Sequence, residues 1–252
     1  MVIISHKHKF IYIKTRKTAS TSIQVLLENF CGKDDIITPL NRTTTEKGVL
    51  YNKRARNYKG IISILKIFKY QIICLLRCKH STKHLKTFIY SYLKLQQKSK
   101  IRLFLSRLTS HMSVEKVKTK IGDLIWKSYF KFTFERNPWD KVISLYYHRE
   151  PEIPFNEWIK TFSLNLRSQP LNFPLYSING KVELDFIGKF ENLYEDLKYI
   201  FNKLNLPLVD LPFEKASFRR NKENYRNYYD DNSKKIIEKF YKREIELMRY
   251  SF

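Results

Sequence analysis

Apolar positions along the chain fall into short runs of strand length that alternate with longer stretches of helical period. Phe10-Ile11-Tyr12-Ile13 is one such run. It is followed at once by the polar segment Lys14 to Ser22 (KTRKTASTS), and then by Ile23 to Phe30, an amphipathic stretch that predicts a helix. Val2 to Cys31 is therefore expected to form one strand–turn–helix unit. Tyr129 to Phe134 (YFKFTF) alternates and is rich in aromatics, which predicts a buried strand. Arg136-Asn137-Pro138 ends it, and Pro138 suits the first turn of a helix over Trp139 to Arg149, because the N–H it lacks has no helical partner there. Trp139 is expected in the core beside it. Ser113, with Glu115 and Lys116 beyond, marks a helix start, and Gly122 a stop. Leu184 to Phe190 reads as a short strand and Glu191 to Leu204 as an amphipathic helix. Leu206 to Pro212 is a linker bounded by prolines, and Ser233 to Tyr250 forms a final helix. Strands alternating with helices predict an α/β fold with a mainly parallel central sheet and helices on both faces. At 252 residues, with no internal repeat, a single domain over 1–252 is expected.

Composition supports a packed core, with 43% hydrophobic and 15% aromatic residues, and argues against wholesale disorder. The charge adds more. The formal net charge is +24, and between Lys47 and Val114 there are 16 Lys and Arg and no Asp or Glu. Such a balance points to polyanionic partners: nucleotides, nucleic acid, acidic glycans or anionic lipid. The segment reads as two or three helices, a basic helical insertion over roughly 47–108 within the domain. Its most apolar window, Ile61 to Leu76, is interrupted by Lys66 and Lys69 and is too short to span a bilayer. It fits either a helix packed on the domain or one lying on an anionic membrane surface. Three cysteines give no disulfide framework, and Met1 runs directly into the first predicted strand. A cytoplasmic protein in a reducing compartment is the expectation, with the inner face of the membrane as a peripheral site.

The chemistry concentrates at two places. Lys14 to Ser22 precedes a helix whose first N–H groups are free and whose amino end carries partial positive charge, so the turn is an anion site with cationic and hydroxyl donors added. One hundred and twenty residues after Arg16, Arg136 stands at the carboxyl end of a predicted strand, with Ser144 two turns into the next helix. A guanidinium and a hydroxyl so placed can grip one phosphate. Ligands of such sheets sit at the carboxyl ends of the strands, so two anion sites fit a ligand carrying separate phosphates. Cys74, Cys78, His80 and His84 invite a zinc reading, but the Cys and His pairs nearly abut and would face different sides of a helix, so no metal is expected. A kinase reading lacks the Gly-x4-Gly-Lys-Ser/Thr loop. A nucleic-acid- or polyanion-binding protein without transferase activity is the competing class, although no recognition helix or RNP-type aromatic motif is present. His6 and His8 are expected in solvent.

With these residues in view, the chain resembles the sulfotransferases that use 3'-phosphoadenosine 5'-phosphosulfate (PAPS). It is most similar to the carbohydrate branch that includes heparan sulfate 2-O-sulfotransferases and small bacterial relatives. Arg16-Lys17-Thr18-Ala19-Ser20-Thr21-Ser22 matches that family's 5'-phosphosulfate loop, with Arg16 where proline is usual. Arg136-Asn137-Pro138-Trp139-Asp140 through Ser144-Leu145-Tyr146-Tyr147 matches its 3'-phosphate motif. Asp185 to Leu193 and Lys215 to Asp230 also read like bacterial members. The resemblance implies a P-loop-nucleotide-kinase-like sulfotransferase fold and PAPS as sulfate donor, leaving adenosine 3',5'-bisphosphate. It further implies a glycan or glycolipid acceptor, no metal and no specific nucleic acid. It assigns Lys17 to the leaving oxygen and Thr18 to Ser22 to the 5'-phosphate. Arg136 and Ser144 fall to the 3'-phosphate, and Arg219 and Arg220 to a basic loop closing over it. His111 stands where glycan-type members carry a catalytic histidine; His148 is the second choice, with a surface position expected for it.

Overall fold

The computed structural model describes residues 2–39, 55–58, 60–77, 108, 111–161, 171–207 and 223–252. Strands β1 (Val2–Ser5) and β2 (Phe10–Ile13) are buried at every position, which is why these runs are continuously apolar rather than alternating. With β3 (Ile36–Ile37), β4 (Phe130–Glu135) and β7 (Phe186–Lys189) they form one five-stranded sheet in the order β3-β1-β2-β4-β7. The pairs β2–β4 and β4–β7 are parallel. The pairs β1–β2 and β1–β3 are antiparallel, so four of the five strands still point the same way. The sequence pattern treats Val2 to Ile13 as the strand part of one unit; the structure makes it a hairpin. Only His6 to Lys9 join its two strands, too few for the crossover that a parallel pair needs. A small hairpin, β5 (Ser177–Ile178) and β6 (Lys181–Val182), lies outside the main sheet.

Helices cover both faces. On one, Val2, Ile4, Ile11 and Ile13 pack with Val117, Ile121 and Ile125 of α3 (Val114–Ser128) and Ile67 of α2 (Gly60–Arg77). On the other, Phe10, Tyr12, Phe132 and Phe134 pack with α1 (Ser20–Glu28) and with Leu197, Ile200 and Phe201 of α7 (Leu193–Lys203). A third cluster holds α4 (Pro138–Arg149) against α5 (Phe155–Lys160) and α8 (Asp231–Phe240), with Trp139 buried in it as expected. The short helix α6 (Phe173–Tyr176) and the last helix, α9 (Lys242–Met248), complete the described α-helices. The expected final helix is thus two, broken at the fully buried Tyr241.

Gly122 does not end its helix but kinks it, at φ 78° and ψ 160°, and α3 resumes to Ser128. Gln71 of α2 donates to the Ile121 carbonyl at 2.6 Å, taking up a group the kink exposes. A Cβ at position 122 would displace the end of the flexible Gln71 side chain, and the left-handed φ is what calls for glycine there. The basic helix α2 is thus packed on the domain. Asp34 accepts hydrogen bonds from its Lys66, Lys69 and Tyr70. Residues 55–58 and 108 of the expected insertion are also described; its remainder, Cys78, His80 and His84 included, lies outside the described residues, as does the side chain of Cys74. No described helix is long and apolar enough to cross a membrane.

His6 is buried, contrary to expectation. Its ring stacks on Tyr70 at 3.9 Å between centroids, and Nδ1 lies 2.8 Å from the Tyr129 hydroxyl. His8 is partly buried, and burial lowers its pKa as well. For His6, burial outweighs nearby Asp35 and Asp34 and lowers the pKa to about 4. The unfolded chain therefore binds the proton first. The stability this group contributes is complete above pH 6.5 and is lost as pH falls toward about 4. Urea unfolding between pH 7 and pH 4.5 should show His6→Phe losing roughly 2 kcal/mol less than the wild type over that interval. Identical slopes would mean that His6 is not the group responsible.

Candidate active site

Six residues, Lys14 to Ala19, join the end of β2 to the start of α1. Threonines anchor this loop where the β2–β4 pairing stops. Thr15 Oγ1 donates to the Phe134 carbonyl at 2.5 Å, Thr133 Oγ1 donates to the Ile13 carbonyl at 2.6 Å, and the Thr15 and Thr18 hydroxyls meet at 2.9 Å. The loop then turns through left-handed conformations at Lys17 (φ 62°) and Ala19 (φ 52°), with Thr18 between them outside that region. Alternation of this kind gathers successive N–H groups into a concave nest that binds anions. The amino end of α1 opens onto the same loop, with no side-chain cap at Ala19 and no acidic residue in the first turn. Its partial positive charge thus has no built-in counter-charge there. Left-handed backbone at non-glycine residues costs about 1–2 kcal/mol each and gathers at functional sites. Thr18, Ser20 and Ser22 are buried, while Arg16, Lys17, Ala19 and Thr21 are partly exposed. Lys14 is buried, its Nζ donating to Thr21 Oγ1 at 3.2 Å and Gln24 Oε1 at 3.4 Å, which ties the strand end to α1.

Arg136, one residue past β4, stands against this loop: its Nη1 donates to the Lys17 carbonyl at 3.3 Å. The rest of its fork is turned onto Asp140, with Nε at 2.7 Å and Nη2 at 2.6 Å from Oδ2, and the Phe190 ring lies 4.2 Å from Cζ. Ser144 is half-buried on α4, and no hydrogen bond joins it to Arg136. A cleft of about 390 Å³ opens beside Asp140 and Glu191, lined also by Lys189, Arg226 and Arg249 together with Tyr225 and Tyr250. Arg219 and Arg220 lie outside the described residues. His148 is exposed on α4.

His111 reaches the loop from 97 residues away, its Nδ1 lying 3.1 Å from the Lys14 carbonyl. It too is left-handed, at φ 54°. A carbonyl only accepts, so Nδ1 carries the hydrogen and Nε2 keeps its lone pair. Burial, followed by surrounding positive charge that includes Lys14 and Arg16, lowers the His111 pKa to about 3 and keeps the ring neutral at physiological pH.

Two residues that sequence reasoning passed over also touch this loop or its anchors. Asn172 bonds both backbone groups of Arg16, and the fully buried Glu135 accepts from Asn172 and from Lys141. Glu135 carries a legible signal, a carboxylate inside an aromatic strand directly before Arg136, whereas Asn172 carries none.

Over 129 residues the chain is 37% identical to an uncharacterized protein of Archaeoglobus fulgidus, in an alignment covering 48% of this chain and 96% of that protein. No solved structure matches the chain. A family model described as the sulfotransferase family matches residues 1–251, a span that takes in the Lys14–Ser22 loop, His111 and Arg136, and on that match the chain belongs to the sulfotransferase family.

Proposed function

We propose that the protein transfers a sulfuryl group from PAPS to a hydroxyl of a carbohydrate by in-line displacement. The observation that carries this reading is His111 on the Lys14 carbonyl, which sets a neutral imidazole at the rim of a loop built to hold an anion. The loop suits a phosphosulfate: it offers converging N–H groups, buried hydroxyls and the Lys17 ammonium, as in a P-loop nucleotide kinase. When bound, PAPS supplies the activated sulfuryl group. Thr18 to Ser22 hold the 5' end through N–H and hydroxyl donors. Lys17 places its positive charge where the bridging oxygen gains negative charge. His111 Nε2 takes the proton of the attacking hydroxyl, and the bond from Nδ1 to Lys14 keeps the ring oriented for it. The cationic and aromatic side chains of the cleft beside Asp140 suit a 3'-phosphate and adenine, with Arg136 joined to it through Asp140 and Ser144 one turn further along α4. The acid-free stretch favours an anionic or lipid-linked saccharide as acceptor. Leu65 and Ile72, 63% and 39% exposed on α2, support peripheral contact with an anionic membrane at its cytoplasmic face.

The test is labelled-sulfate transfer from PAPS onto a panel of saccharides, together with thermal melting in adenosine 3',5'-bisphosphate. At about a hundred times its dissociation constant, the bisphosphate should stabilise the protein by roughly 2.7 kcal/mol and raise Tm by roughly 5–10 °C. No shift with the bisphosphate, alongside stabilisation by nucleic acid of random sequence, would favour a polyanion-binding protein instead.

A further inference from the structure

One side chain, Asn172, holds both backbone groups of Arg16 in the anion loop. The Asn172 Oδ1 accepts from Arg16 N–H at 2.9 Å, and Asn172 Nδ2 donates to the Arg16 carbonyl at 3.1 Å, so the amide pairs with Arg16 as a neighbouring strand would. The Arg16 carbonyl and the Lys17 N–H belong to one planar trans peptide and point in opposite directions. Pinning the carbonyl onto Asn172 therefore turns the Lys17 N–H the other way and sets the plane from which the left-handed turn at Lys17 begins.

Asn172 is itself held on two sides. Its Nδ2 also donates to Glu135 Oε1 at 2.9 Å, an oxygen that accepts from Lys141 Nζ at 2.9 Å and Arg136 N–H at 3.0 Å. Its own N–H, and that of Phe173, donate to Glu244 Oε1 at 3.2 Å each. Asn172, Glu135 and Lys141 are fully buried and Glu244 is 2% exposed. The partners fix the amide's orientation, since the oxygen faces a donor and the nitrogen faces two acceptors. A buried ion pair of this kind contributes little net stability compared with apolar packing, so holding geometry is the better reason for its presence.

We infer that Asn172 is a positioning residue for sulfuryl transfer. It orients the Arg16–Lys17 peptide toward the donor from a mount made by Glu135, Lys141 and, on α9, Glu244. This rests on the sulfotransferase reading given above. The test measures binding of adenosine 3',5'-bisphosphate by calorimetry, and the donor and acceptor KM, in Asn172→Ala and in the isosteric Asn172→Asp. Ile36→Ala on the edge strand β3, two strands from β2, serves as a destabilised control. Both Asn172 variants should weaken bisphosphate binding at least tenfold and raise the donor KM while leaving the acceptor KM unchanged. The control should bind within twofold of wild type despite a lower Tm. Wild-type affinity in either Asn172 variant, or an equal loss in the control, overturns the inference and leaves the sulfotransferase reading standing. A wild-type protein that does not bind the bisphosphate removes both.

Discussion

Lys17→Ala should fold normally and transfer sulfate at a rate on the order of 10²–10³-fold below wild type, the loss typical when a positioned electrostatic group is removed from a developing charge. Folding should survive because Lys17 is only partly buried and its truncation opens no core cavity. The backbone around it is fixed by others: Asn172 holds the preceding carbonyl, and Arg136 Nη1 donates to the Lys17 carbonyl at 3.3 Å. Donor binding should therefore fall far less than turnover, since the N–H groups of the nest remain in place. Lys17→Arg should not restore the rate, because a planar fork on a longer stem does not put a compact charge on the same oxygen. Single-turnover transfer with donor saturating separates the two effects. A Lys17→Ala protein with near wild-type turnover would move the leaving-group role to another cation.

Much of this was legible in the chain. The polar segment between an apolar run and an amphipathic stretch marked the loop between β2 and α1, because strand, turn and helix differ in hydrophobic period. The Arg136 motif fell at a strand end for the same reason. What pattern could not reveal was pairing between distant residues. The hairpin of β1 and β2 does have a local signal, the polar His6 to Lys9 between two apolar runs, but which strand each run pairs with is set by the fold. Gly122 was recognised as an interruption, but whether a helix stops or kinks there depends on Gln71, 51 positions earlier, accepting the role of partner to the freed carbonyl. His6 looked solvated because charged neighbours surround it in sequence, yet α2 brings Tyr70 over its ring. The direction of the Arg136 fork was likewise beyond the sequence: the motif places the residue, and only the fold turns Nε and Nη2 to Asp140 and Nη1 to the Lys17 carbonyl. Asn172 illustrates the limit, since nothing local distinguishes it from any other asparagine before a short helix.

His111→Ala should lower turnover by about 10²–10⁴-fold, the range expected for loss of a general base. Alanine also removes the bond to Lys14, so the informative partner is His111→Asn. Asparagine tolerates the left-handed backbone found here, and its side-chain amide can reach the Lys14 carbonyl in place of Nδ1–H. It cannot take a proton. If the role is structural, asparagine rescues the alanine defect; if His111 is the base, both variants are equally slow while asparagine alone recovers Tm. The pH profile adds an independent check. With its pKa lowered to about 3 by burial and nearby cations, the ring of the free protein stays neutral far below pH 6.5, so the acid limb of kcat/KM should lie well under that value. The donor's negative charge, once in the loop, opposes the cations and favours the imidazolium. The acid limb of kcat should accordingly lie at higher pH than that of kcat/KM, and the ring becomes a stronger base only when there is a sulfuryl group to transfer. Coincident limbs, or an acid limb that persists unchanged in His111→Asn, would show that another group accepts the proton.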